Sequence, residues 1–148
     1  MSLSEADVER IVAAVETMER SLSVLAEKRS LSRAEYRGDR ETRDVAERRF
    51  VKLTEAALDI AETLAVHGRG ARPESNPGAM VALETAGVLD GPTAAKIAEA
   101  ARFRNVLAHT YGDAVDHDEV YDALQDLERY RDFLVAVRDY MDEIGALD

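Results

Sequence analysis

Apolar residues recur at intervals of three or four along most of this chain, which is the spacing of one face of an α-helix. The first run predicts a helix from about Glu5 to Glu27, with Ser4 as its N-cap. The second predicts a long helix from about Glu41 to His67. Their core-facing residues are expected to be Ile11, Val15, Met18, Leu22 and Leu25, followed by Phe50, Leu53, Ala57, Ile60 and Leu64.

Three more helices follow in the second half. A short one begins at Ser75 or Asn76 and ends before Gly87, which is a typical C-cap residue. A fourth contains the alanine-rich run Thr93–Ala108. A fifth begins after an acidic stretch in which Asp116 precedes Glu119 with capping-box spacing. Its apolar face is the stripe Val120, Leu124, Leu127, Leu134, Val137, Met141 and Ile144.

No alternating strand pattern, internal repeat or low-complexity tract interrupts this series. The sequence therefore predicts an all-α fold, an antiparallel bundle of four to five helices with one core. With 148 residues, the chain is long enough for a single domain over residues 1–148.

Composition narrows the classes of function. The chain has no cysteine, which excludes disulfides and thiolate metal sites, and it shows no signal peptide or membrane span. We therefore expect a cytoplasmic protein that does not enter membranes. Its net charge of −11 disfavours non-specific contact with nucleic acid, although a local arginine cluster could still bind phosphate. Abundant acids with few lysines suggest a high-salt cytoplasm.

Two charged regions are open to more than one interpretation. Arginines from Arg29 to Arg43 surround Tyr36, which suits either a nucleic-acid contact or, more simply, a solvated connector held by ion pairs. On the second long helix, Arg48 and Asp59 lie near the apolar face, and a carboxylate there could orient a catalytic arginine. The acids from Asp113 to Glu119 lack the calcium-loop pattern, so neither a metal site nor a cofactor is predicted.

The stretch from Arg102 to Tyr111 concentrates the candidate chemistry at the end of the fourth helix. Asn105 and His109 are four residues apart and share a face. Arg104 and His109 are about 140° apart on an ideal helix, so they converge only if the last turn loosens. An arginine can neutralise a phosphate while a histidine moves a proton near pH 7. Taken alone, an arginine and a histidine near a helix C-terminus are more often partners of the helix dipole or surface residues.

The string Arg104-Asn-Val-Leu-Ala-His109-Thr-Tyr111 resembles the R-x4-H-x-Y signature of the HepT-like branch of the HEPN superfamily, the toxins of MntA/HepT-type toxin–antitoxin pairs. The resemblance runs from about Asp7 to Ile144. It implies a HEPN-like homodimer with the signature facing a cleft between subunits. It also implies a metal-independent ribonuclease in which Arg104 and His109 are catalytic and Asn105 supports them. Tyr111 would be the acceptor of AMP from a partner nucleotidyltransferase antitoxin of the MntA type.

Three hypotheses about function remain at this point. In the first, the protein is a ribonuclease toxin that cleaves RNA by attack of the 2′-hydroxyl, with His109 as general base or acid. In the second, it is a non-catalytic helical dimer that binds a nucleotidyltransferase partner, which its acidity favours. The third is a purely structural bundle. The presence of Arg104, His109 and Tyr111 together favours the first.

Overall fold

The structure, a computed structural model, describes residues 3–69, 76–110 and 114–146. Within these ranges every regular element is helical, which confirms the all-α prediction. The elements are α1 (Glu5–Lys28), α2 (Arg33–Gly38), α3 (Arg40–Arg69), α4 (Asn76–Thr85), α5 (Gly91–His109), α6 (His117–Leu124) and α7 (Glu128–Glu143). Of the two residues predicted to begin the third helix, Ser75 lies outside the described residues and Asn76 is the first residue of α4.

The predicted apolar stripes meet in one core, except at Ile144, which was predicted to face the core but is exposed because α7 ends at Glu143 and Ile144 is its C-cap. Helix α1 packs along α3, which also contacts α4 and α5, and α5 in turn packs against α7. Phe50 of α3 lies at the centre, with the ring of Phe103 5.5 Å away and that of Tyr130 6.5 Å away. All three aromatic side chains are buried, and such contacts add to the free energy gained by burying their apolar area.

Local capping explains where α1 and α6 begin and where α4 ends. The Ser4 side chain accepts a hydrogen bond from the Asp7 N–H (3.1 Å), and Asp116 caps α6 through the Asp118 and Glu119 N–H groups. Gly87 adopts a φ of 79°, a left-handed conformation that glycine adopts without steric cost. These three predicted boundaries are confirmed.

Two parts of the chain differ from the sequence-based expectation. Residues 33–38, which belong to the segment interpreted as a connector, form the short helix α2, because Ser32 and Glu35 make a reciprocal capping box. The predicted fifth helix is two helices, α6 and α7, separated at residues 125–127. Its apolar stripe continues across the break, since Leu124 and Leu127 are both fully buried.

No helix in the described ranges combines the length and the hydrophobicity needed to cross a bilayer.

Candidate functional site

Arg104 lies near the C-terminal end of α5 and points toward α3. Its side chain is only 20 % exposed, and Nη1 lies 3.6 Å from Oε1 of Glu55. The Nε atom is buried and has no hydrogen-bond partner among the described residues. The guanidinium is thus partly enclosed, with one nearby carboxylate that is itself 54 % exposed. An always-charged group in this setting is well placed to receive an anion from solvent.

Asn105 and His109 are both exposed on α5, in agreement with the prediction that they share a face. No hydrogen bond joins their side chains in the part of the chain that the structure describes. Helix α5 remains regular through His109, and Thr110 has extended backbone angles. The last turn therefore does not loosen, and the side chains of Arg104 and His109 leave the helix about 140° apart. Tyr111 lies outside the described residues.

The carboxylate beside the signature arginine is Glu55, whereas the sequence suggested Asp59. Asp59 instead forms a two-pronged ion pair with Arg10 of α1, with an Nη2–Oδ1 distance of 2.6 Å. Arg48, the other residue noted there, is exposed. Glu55 lies one helical turn before Asp59, so both acids are on the same face of α3. Which of the two acids lies beside Arg104 depends on how α1 and α5 pack against α3.

The arginine-rich segment before α3 is held by ion pairs. Arg33 contacts Asp118 at 3.1 Å and Asp122 at 2.8 Å, and Arg37 contacts Asp118 at 2.7 Å. Hydrogen bonds from Arg37 and Arg33 hold the pKa of Asp118 below its usual value. Tyr36 is fully buried, so its ring cannot stack on a base. These contacts favour the connector interpretation over a nucleic-acid surface.

Sequence reasoning missed a polar cluster at the junction of α2, α3 and α6. Arg43 Nη1 donates to His117 Nε2 at 2.8 Å, and His117 Nδ1 lies 4.0 Å from Oε2 of Glu47. Burial raises the pKa of Glu47, and the neighbouring Asp44 raises it further. The Tyr36 hydroxyl is buried without a partner among the described residues. Arg43 and His117 are separated by 74 positions, so no local pattern could have indicated this contact.

In the described ranges, no group of three or more histidine, aspartate or glutamate side chains is arranged to hold a metal ion.

Solved structures of several toxin–antitoxin proteins share this fold. The tri-AMPylated HEPN toxin of Shewanella oneidensis, in complex with its MNT antitoxin, superimposes with a TM-score of 0.77 at 18% identity, over 88% of this chain and 97% of that one. A toxin–antitoxin structure with AMP-PNP gives 0.79 at 17% identity, over 88% and 98%. A mutant of MntA–HpeT gives 0.78 at 18% identity, over the same shares. Identities this low establish the fold alone.

None of the curated proteins is detectably similar to this chain in sequence. The model of the family described as ribonuclease HepT-like matches residues 13–137, a range that includes α3, α5 and the whole signature from Arg104 to Tyr111. Because that match covers most of the chain, the protein belongs to the ribonuclease HepT-like family.

Proposed function

We propose that this protein is the toxin of a toxin–antitoxin pair and acts as a metal-independent endoribonuclease. The observation that carries the proposal is the R-x4-H-x-Y signature in a member of the ribonuclease HepT-like family, with Arg104 and His109 in the last turns of α5. Arg104 supplies a partly enclosed cation, and His109 supplies an exposed imidazole. Together they meet the two needs of RNA cleavage, charge neutralisation and proton transfer.

In the proposed reaction, His109 takes the proton from a ribose 2′-hydroxyl, and the oxygen attacks the adjacent phosphorus. The O2′–P bond forms while the P–O5′ bond breaks, the departing 5′-oxygen receives a proton from water, and His109 returns its proton to solvent. Arg104 stabilises the negative charge on the phosphate during this exchange. Asn105 orients His109 or the phosphate. Because the side chains of Arg104 and His109 leave α5 in different directions, an RNA that contacts both must lie across the end of the helix.

The test is cleavage of an end-labelled RNA by the wild-type protein and by two variants, Arg104→Ala and His109→Ala. Loss of either group is expected to lower the rate by about 10² or more. Arg102→Ala is the matched control, because Arg102 is an exposed arginine one half-turn away on the same helix. RNA with a 2′-O-methyl group at the cut site should survive. Undiminished cleavage by either variant, or loss of all cleavage on adding a chelator, would contradict the proposal.

We further propose that a nucleotidyltransferase antitoxin silences the toxin by adding AMP to Tyr111. Support comes from the related fold of a HEPN toxin that is tri-AMPylated in complex with an MNT antitoxin. Tyr111 follows His109 by two residues in the sequence, so an attached nucleotide would add phosphate charge and bulk next to the proposed catalytic histidine, where it would compete with RNA. Tyr111→Phe should cleave RNA normally yet gain no AMP mass when incubated with the antitoxin and ATP. The same mass gain in Tyr111→Phe as in the wild type would show that another residue is the acceptor.

A second candidate function is a non-catalytic dimer that binds the nucleotidyltransferase. The net charge of −11 favours it, because an acidic protein repels RNA. Under this alternative the wild-type protein would be AMPylated but would leave every tested RNA intact. In both candidates the protein acts as a homodimer.

A further inference from the structure

One narrow face of α3 reaches solvent beside the signature arginine. Between residues 50 and 58 of this helix, only Lys52 and Glu55 are exposed, and Arg48 is exposed one turn before Lys52. The three positions are four and three residues apart, so they lie on one face of the helix. Glu55 contacts Arg104 and, together with Lys52, lines a shallow depression next to α1. We call the two cations of this face, Arg48 and Lys52, the basic row.

The direction of α5 places the basic row alongside the rest of the signature. Arg104 of α5 contacts Glu55, whereas His117 at the start of α6 contacts Arg43. The chain after Arg104 therefore runs toward the beginning of α3, antiparallel to that helix. By this register, the last turn of α5, which ends at His109, lies next to the basic row. At 1.5 Å per residue, the two cations are about 4.5 Å and about 10.5 Å beyond Glu55 along the axis of α3.

The basic row carries positive charge that the protein itself does not neutralise. Among the residues that the structure describes, neither Lys52 nor Arg48 forms an ion pair. They are also four residues apart, a spacing at which like charges slightly destabilise a helix. On the other side of Arg104 the same face of α3 is acidic, with Glu55 followed by Asp59. The face is therefore positive where it borders the end of α5 and negative in the opposite direction.

We infer that Lys52 and Arg48 bind the backbone phosphates that adjoin the scissile phosphate of the RNA, an inference that rests on the proposed function. Arg104 holds the scissile phosphate, and a strand that continues past His109 then meets one cation per helical turn. The acids on the other side of Arg104 repel the strand and so fix this direction. The net charge of −11 does not prevent binding, because charges farther than about 10 Å away are screened at 0.1 M salt.

The test is the salt dependence of binding to a single-stranded RNA that carries 2′-O-methyl groups throughout and therefore cannot be cleaved by 2′-hydroxyl attack. The basic-row variant carries Arg48→Gln and Lys52→Gln. Each lost phosphate contact should make the slope of log K against log salt shallower by about 0.7, so the variant should lose about 1.4. Its Kd at low salt should rise at least about tenfold. With unmodified RNA, KM should rise and kcat should stay the same, because neither residue contacts the scissile phosphate.

A matched control separates the basic row from a general effect of charge. Lys96→Gln with Arg138→Gln removes the same two charges from exposed positions near the start of α5 and on α7. This control should keep the salt slope of the wild type. Thermal unfolding separates binding from a structural role. The midpoint of the basic-row variant should equal or slightly exceed that of the wild type, because two like charges on adjacent turns are removed.

The possible failures are distinguishable. A basic-row variant with the slope and Kd of the wild type, or a control that loses as much as that variant, would overturn the inference and leave the proposed function intact. So would a fall in kcat with KM and slope unchanged. A wild-type protein that neither binds nor cleaves RNA would overturn both. Binding that depends on the basic row, by a protein that cleaves no tested RNA, would contradict only the proposed ribonuclease activity.

Discussion

Glu55 is the anion that an RNA phosphate must replace if Arg104 is catalytic. Its carboxylate lies 3.6 Å from the Arg104 guanidinium and is more than half exposed, so it can swing into solvent when a phosphate arrives. The informative substitution is Glu55→Gln, which removes the charge and keeps the shape. We expect this variant to bind RNA more tightly, because no carboxylate then competes for Arg104.

The size of the effect follows from the geometry of the pair. A distance of 3.6 Å between an exposed carboxylate and a partly exposed guanidinium is typical of a surface ion pair, which is worth at most about 1 kcal/mol. Since about 1.4 kcal/mol corresponds to a factor of ten, KM for RNA should fall by no more than about fivefold. The rate constant kcat should change little, because the phosphate and not Glu55 contacts Arg104 during the reaction. Arg104→Ala, by contrast, should lower kcat/KM by about 10² or more.

The assay is steady-state cleavage of a labelled RNA, with kcat and KM determined separately for the wild type and for Glu55→Gln. Glu41→Gln serves as the control, because Glu41 is an exposed acid on the same helix and reports the general effect of one lost negative charge. The reasoning would be refuted if Glu55→Gln lowered kcat tenfold with KM unchanged. That result would make Glu55 a positioning residue for Arg104 and not a competitor of the phosphate.

Three further predictions concern stability, and each is checked by thermal or urea unfolding. Tyr130→Phe should lower the free energy of unfolding by about 1–3 kcal/mol, because the buried hydrogen bond between Tyr130 Oη and Thr54 Oγ1 (3.0 Å) is lost. The double variant with Thr54→Val should lose less than the sum of the two single losses, and additive losses would contradict this. Asp118→Asn should lower the unfolding midpoint at pH 7, because Arg37 and Arg33 hold the pKa of Asp118 below its ordinary value of 3.8. The difference in midpoint between wild type and variant should vanish as the pH falls through that lowered pKa. A difference that persisted at lower pH would contradict this explanation. Glu47→Gln should raise the unfolding midpoint at pH 7, because burial raises the pKa of Glu47 and thus penalises its charged form. The wild type therefore loses stability as the pH rises from about 4.5 through the raised pKa. A lower midpoint in the variant would show that attraction to Arg43 outweighs burial.

The sequence predicted the parts of the fold that depend on nearby residues. Ser4, Gly87 and Asp116 act within a few positions of themselves, so their roles as caps could be inferred from local patterns. The capping box of Ser32 and Glu35 is equally local, yet the density of arginines around it suggested a connector. The break between α6 and α7 leaves the apolar spacing intact and contains neither glycine nor proline, so the pattern gave no indication of it.

The candidate site was predictable in part. Arg104 and His109 are found in one contiguous motif, but the neighbour of Arg104 depends on how α3 packs against α5. Asp59 and Glu55 are equivalent in the sequence pattern, and the choice between them is made by Arg10, 49 positions before Asp59.

The most direct test of the central claim is the chemical identity of the RNA ends after incubation with the purified protein in the presence of a chelator. Attack by the 2′-hydroxyl, with Arg104 and His109 as the catalytic groups, predicts 2′,3′-cyclic phosphate and 5′-hydroxyl ends from the wild type and from Arg102→Ala. It predicts no such ends above background from Arg104→Ala or His109→Ala. Products with a 3′-hydroxyl, or cyclic phosphate formed at the wild-type rate by Arg104→Ala, would contradict it.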